Sequence, residues 1–421
     1  MYEDAFVYEK NRFEDDGGLR TKSYLLQGEI DKPWLKKKDW RDRATWWITF
    51  TMIWIGIAAS AAVCWNRWAT VLLIKEPLCL VMQDDFDTFS VDHEGATWMR
   101  EVDMSGFGNG EFEMTTNFDN NSFVKDGKLY IMPTLTSLAI GQDNVFNDFT
   151  FNITGCTNTK NFEGSACGAV SNQTSKTVIN PVMSARLTTQ KSHSIRYGRI
   201  DIRAKLPRGD WLWPALWMLP VDNKYGPWPL SGEIDIMESR GNDIRYTGQG
   251  SNVVRGSLNW GPTVALNAAW RTFGFWFDRR KSFANDFHIY TMEWSPEFIR
   301  MSVDNRLHKM LELRFNEPFF TRGDFPAVIE NGTDSITLPN PWASGSDSTP
   351  FDQPFYLIMN VAVGGTSGWF PDNLGNKPWL DNSGTAMYDF AHSQDTWYAT
   401  WPESPEDRAM VIDYVKMYEL C

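Results

Sequence analysis

From about residue 79 onward, apolar and polar residues alternate in short runs, separated by clusters of Gly, Pro, Asn and Asp. The run "RIDIRAKL" (199–206) alternates at period two, and "WLWPALWML" (211–219) puts Trp211, Trp213, Ala215 and Trp217 on one face. "HIYTMEWS" (288–295), "FIRMSVDN" (298–305), "FYLIMNVAV" (355–363) and "MVIDYVKMYEL" (410–420) read as further strands. Long amphipathic helices are scarce, and no internal repeat is visible. Many short strands split by turns predict an all-β domain over residues 79–421, an antiparallel two-sheet sandwich or jelly roll. Residues 141–175 and 321–352, polar and rich in Asn, Gly and Pro, read as surface loops.

A different pattern fills residues 45–65, "TWWITFTMIWIGIAASAAVCW", which carry no charge. At about 1.5 Å per residue, a helix of this length crosses a hydrocarbon core of roughly 30 Å. Trp46, Trp47 and Trp65 sit at its ends, where interfacial aromatics are expected. Lys36, Lys37, Lys38, Arg41 and Arg43 precede it, whereas only Arg67 and Lys75 follow closely. The positive-inside rule therefore predicts a single-pass type II membrane protein. Residues 1–44 are a flexible cytosolic tail, 45–65 a signal anchor in the lipid bilayer, 66–78 a stem, and 79–421 an extracellular or lumenal domain. A cleaved signal peptide is the alternative; the length of the run and the polar residues before it argue against that.

Two further features agree with this orientation. The sequons at Asn120, Asn152, Asn172 and Asn331 all follow the apolar run. Cys64 lies inside the run, and the other four cysteines form an even set, as in an oxidising compartment. Cys156 and Cys167 flank a short polar loop and are expected to pair. Cys79 and Cys421 then tie the ends of the domain together; a free Cys421 is the alternative.

The net charge of −13 argues against a nucleic-acid partner. With only 5 His, acid–base chemistry falls to carboxylates. The 21 Trp exceed what a core needs and suggest a surface that uses flat rings. "GEIDIMESRGN" (232–242) supplies three acids among strand-like Ile and Met. Glu233 and Asp235 share a face, but strict alternation would send Glu238 into the core, at high cost. A β-bulge at Ile236 and Met237 resets the phase and returns Glu238 to the same face. Crowding then raises at least one carboxyl pKa. One ionised and one protonated carboxyl, about 5–5.5 Å apart, is the requirement of retaining glycoside hydrolysis. The competing readings are a solvated acidic edge or a Ca²⁺ site; the interleaved Ile and Met argue against the latter. Trp213 and Trp217, on the strand just before, offer ring faces for sugars, with core packing as the alternative.

"GEIDIMESRGN" resembles the E-[I/V]-D-[I/V]-x-E signature of glycoside hydrolase family 16 in its bulged, laminarinase-like form. "YGRIDIRAKLPRGDWLWPALWMLP" (197–220), "FHIYTMEW" (287–294), "FDQPFYLIMNVAVGG" (351–365) and "VIDYVKMYE" (411–419) extend the resemblance over about residues 80–420. The layout is most similar to animal β-1,3-glucan recognition proteins and laminarinases. The resemblance implies a β-jelly roll with a concave substrate sheet, and endo-acting, retaining hydrolysis of β-1,3-glucan or mixed β-1,3/1,4-glucan; attachment to a membrane would restrict it to nearby polymer, so wall glucan is the expected substrate. It implies Glu233 as nucleophile, Asp235 as helper and Glu238 as general acid/base. Arg203, Trp213, Trp217 and Asn360 are implied to face the cleft, as are Asn259 and Trp260 of "LNWGP" (258–262). Asn259 stands where laminarinase-like members often carry a His near the acid/base, which leaves linkage preference open. No cofactor is required. A structural Ca²⁺ is left open, because "DDFD" (84–87) stands where "DEF" is usual and Asp85 is a shorter ligand to share a site with Asp413. Transglycosylation and non-catalytic glucan binding are the alternatives to hydrolysis.

Overall fold

The computed structural model describes residues 28, 31–36, 39–158, 166–331 and 334–421, in two compact units that meet in sequence between Leu72 and Leu73. The N-terminal unit holds helix α1 (Trp40–Ala69), 30 residues with none buried. The Asp39 side chain caps it by accepting from the Arg41 backbone N–H at 3.0 Å. The helix outruns the expected span at both ends, so the first part of the expected stem is helical. By length and composition it is able to cross a membrane. Most of the expected tail lies outside the described residues.

Two eight-stranded sheets form the body of the second unit. Their strands in chain order are β1 (Leu78–Asp84), β2 (Met99–Glu101), β3 (Ser122–Lys125), β4 (Lys128–Ile131), β5 (Arg186–Thr188), β6 (Ser194–Ile195), β7 (Gly198–Lys205) and β8 (Leu212–Pro220). There follow β9 (Glu233–Ser239), β10 (Val253–Asn259), β11 (Phe273–Phe277), β12 (His288–Trp294), β13 (Phe298–Val303), β14 (Lys309–Arg314), β15 (Phe355–Val363) and β16 (Met410–Leu420). The front sheet runs β11-β10-β9-β8-β15-β5-β2, with β6 also on β15. The back sheet runs β14-β13-β12-β7-β16-β4-β3, with β1 also on β16. Neighbours within each sheet are antiparallel, as the alternation predicted.

One continuous core fills the sandwich. Ile200, Ile202 and Ala204 of β7 meet Leu216 and Met218 of β8, Ile234, Ile236 and Met237 of β9, and Met292 and Trp294 of β12. The strand ranges read from sequence match β7, β8, β12, β13, β15 and β16 to within two residues at either end. The two expected loops are less plain than their composition. Residues 141–175 include the short helix Gln142–Phe146 and a strand pair, Thr150–Asn152 with Gly168–Val170. Residues 321–352 include the hairpin of Val328–Asn331 and Asp334–Thr337. Disulfides join Cys79 to Cys421 and Cys156 to Cys167. Asn120 and Asn152 are exposed and Asn172 is half-buried. The Asn331 side chain, with the rest of its sequon, lies outside the described residues.

Candidate active site

The acids stand on β9 in the middle of the front sheet. Glu233 is paired with Asn259, Asp235 with Ser257 and Glu238 with Arg255, and the register slips between Asp235 and Glu238. Two residues of β9, Ile236 and Met237, thus oppose Gly256 alone. Both are fully buried, whereas Glu233 and Glu238 are half-buried on the open face. The bulge is what brings Glu238 into line. The same row continues across β8 and β15: Glu238 lies beside Ala215, and Ala215 beside Asn360. A cleft of about 780 Å³ covers this face and is lined by residues from β5, β8, β9, β10, β11 and β15.

Each acid meets different donors. Glu233 Oε2 accepts from Trp228 Nε1 at 2.7 Å, and Oε1 from Asn259 Nδ2 at 3.2 Å. Asp235 Oδ2 accepts from Ser257 Oγ at 2.6 Å and from Asn259 Nδ2 at 2.9 Å. Asn267 Nδ2 donates to Asn259 Oδ1 at 2.8 Å, which fixes the amide so that its N–H₂ faces the acids. Glu238 Oε1 accepts from Trp213 Nε1 at 3.0 Å. Burial pushes all three carboxyls up. Glu233 rises to about 7, with hydrogen bonds from Asp235 and Trp228 offsetting part of the loss of water. Glu238 rises to about 8, burial and the Asp235 charge outweighing Arg255 and Trp213. Asp235 rises well above the usual carboxylate range through burial and the neighbouring Glu233. The Glu233 charge is among the causes that raise Asp235, so Glu233 gives up its proton before Asp235 does.

Three acids, Asn259, Trp213 and Trp217 from the sequence reading come together here. Trp213 stacks on Trp369 with centroids 4.7 Å apart. Trp217 lies under the Arg186 guanidinium at 4.7 Å. The other expectations need correction. Arg203 does not face the cleft: it lies on β7 of the back sheet, opposite in phase to the core residues Ile202 and Ala204. There it pairs with Asp413 at 2.5 Å and sits over Phe287. Trp260 is fully buried against Phe319, Phe325 and Trp342, because it takes the core phase next to Asn259. Asn360 is buried under the cleft, where its Oδ1 accepts from Trp217 Nε1 at 2.8 Å, so it positions that ring. Trp211 leaves the face of Trp213 because its φ of 69° precedes the strand; it packs against Phe370 and Trp379. Asn259 serves Glu233 and Asp235 rather than Glu238.

The Ca²⁺ pairing fits poorly. Arg203 occupies the Asp413 carboxylate, and Asp85 accepts from Gln83 at 2.5 Å. No group of three or more His, Cys, Asp or Glu gathers among the described residues in a way that could hold a metal ion. Sequence reading missed Arg186, Trp228, Arg255, Ser257 and Trp369, all of which line the cleft. Ser257 and Arg255 were reachable by period two from Asn259. Arg186 and Trp369 come from distant segments and carry no local signal.

The family model for glycosyl hydrolases family 16 matches residues 156–334. A β-1,3-glucan-binding protein of Penaeus monodon is 40% identical over 354 residues, covering 81% of this chain and 90% of the relative. Glucan endo-1,3-β-glucosidase A1 of Niallia circulans is 32% identical over 300 residues, covering 68% of this chain but 34% of the relative. The laminarinase of Rhodothermus marinus superposes with a TM-score of 0.50 at 27% identity, over 83% of this chain and 100% of that one. With a bulged strand of three acids at the centre of an antiparallel sandwich, the chain belongs to glycosyl hydrolase family 16.

Proposed function

We propose that the chain is a membrane-anchored, endo-acting, retaining hydrolase of β-1,3-glucan or mixed β-1,3/1,4-glucan. The observation that carries this reading is the set of three intact acids, ordered in proton affinity, along an open cleft walled by Trp213, Trp217 and Trp228. The ionised Glu233 attacks the anomeric carbon, and the glycosidic oxygen leaves with the proton of Glu238. Trp213 engages Glu238 Oε1, so the transferable proton belongs on Oε2. Water then loses a proton to Glu238, adds to the anomeric carbon and displaces Glu233. Asp235, protonated, donates to Glu233 and keeps its attacking charge in place.

The 40% identity to a protein named for glucan binding favours a second reading, in which the cleft holds glucan without cutting it. Incubating the chain with laminarin, lichenan and curdlan separates the two. Shortened products are expected, and Glu233→Gln is expected to lower turnover by roughly 10⁴-fold or more while laminarin binding persists. Binding without shortened products would favour the second reading; lengthened products would mean that a sugar replaces water as acceptor.

A further inference from the structure

The edge strand of the front sheet, β11, reads FGFWF and exposes Phe273, Phe275 and Phe277 to 43%, 44% and 46%. A contiguous run of exposed large apolar side chains marks an interaction surface more often than chance. These rings share the face of the acids. Phe273 is paired with Ser257 and Phe275 with Arg255, which are themselves paired with Asp235 and Glu238. The alternate residues turn inward, where Trp276 stacks on His308 at 4.4 Å. A Cβ on Gly274 would lie 1.9 Å from the Met310 carbonyl oxygen of β14. The strand is pressed against the other sheet at that point, which holds its phenyl rings outward.

The strip is continuous with the cleft. Arg255 lies over Phe273 at 4.9 Å and over Trp369 at 5.0 Å, and Trp369 stacks on Trp213, the donor to Glu238. Phe273 lines the cleft; Phe275 and Phe277 lie beyond it, with centroids 6.4 Å apart. The cleft runs across the strands, since six strands contribute to it, whereas the phenyl strip runs along one strand. A single chain crossing the sheet therefore meets one ring of the strip. Engaging all three takes a broader object.

We propose that Phe273, Phe275 and Phe277 form a second carbohydrate-contact surface at the mouth of the cleft, for side-by-side chains of ordered, insoluble β-glucan. This rests on the glucan reading given above. Phenyl rings have no hydrogen-bonding group, so they engage the C–H faces of pyranose rings and leave the hydroxyls to the neighbouring chains. The test uses the full detergent-solubilised chain carrying Glu233→Gln, so that turnover does not mask binding. Co-sedimentation with curdlan is compared with calorimetry on a soluble laminari-oligosaccharide. Phe275→Ala with Phe277→Ala is expected to weaken curdlan binding about tenfold and oligosaccharide binding less than twofold; Phe275→Tyr with Phe277→Tyr restores it. Equal curdlan binding by the alanine variant and its parent overturns the proposal. So does equal weakening on both ligands. A change in sedimentation of the free chain with curdlan binding intact would show instead that the strip joins two copies. Failure of the parent to bind either glucan overturns the glucan reading itself.

Discussion

Burial raises all three acids, neighbouring carboxyl charge raises Asp235 and Glu238 further, and the donors from Trp228 and Asp235 hold Glu233 lower. On a soluble glucan, kcat/KM is expected to be bell-shaped, with its maximum between about 7 and about 8. It falls on the acid side as Glu233 gains a proton and on the alkaline side as Glu238 loses one, each limb belonging to the coupled cluster. Once Asp235 has ionised in turn, its charge raises Glu238, so Asp235→Asn is expected to move the alkaline limb to lower pH. A pH–rate profile of both proteins checks this; an unmoved limb would detach Asp235 from Glu238. The acids were legible because their spacing conflicts with alternation unless a bulge intervenes. Arg203 was misplaced because its cleft-facing role was carried over from the resemblance, and alternation within a strand does not say which sheet that strand joins. Asn259 was placed on the correct face, but its partners depend on the register between β9 and β10.

The elements themselves were the most legible level, since both faces of each inner strand write a period of two into the chain. What stayed hidden was which strands adjoin. The back sheet shows how such a neighbour acts. Glu293 of β12 is paired with Arg300 of β13, and Arg300 with Glu312 of β14. Arg300 donates to Glu293 at 2.8 Å through Nη1 and to Glu312 at 2.8 Å through Nε, and Arg306 also donates to Glu293. Glu293 and Arg300 are each only 2% exposed. Removing one member leaves charge buried with too few partners. Glu293→Ala is therefore expected to destabilise the sandwich by about 3–5 kcal/mol, read from denaturant unfolding, with cleft chemistry retained in the folded fraction. A loss below about 1 kcal/mol would mean that water reaches the row.

At the scale of the molecule, the apolar run was legible by length alone, and it lies within α1, one helix with no buried residue. Its role as an anchor is tested by alkaline carbonate extraction of membranes from cells that make the full chain. The chain is expected to stay in the pellet, and deletion of residues 40–69 to release it. Release of the intact chain would contradict an anchor. The long disulfide acts at this scale too. Cys79 sits in β1, which pairs with β16, and its partner Cys421 lies 342 positions away. Were α1 held in a membrane as proposed, a protease that cuts between Leu73 and Leu78 would shed the sandwich whole into the surroundings. One that nicks an exposed turn anywhere later would shed nothing, because the severed pieces stay shackled through sulfur to the same tether.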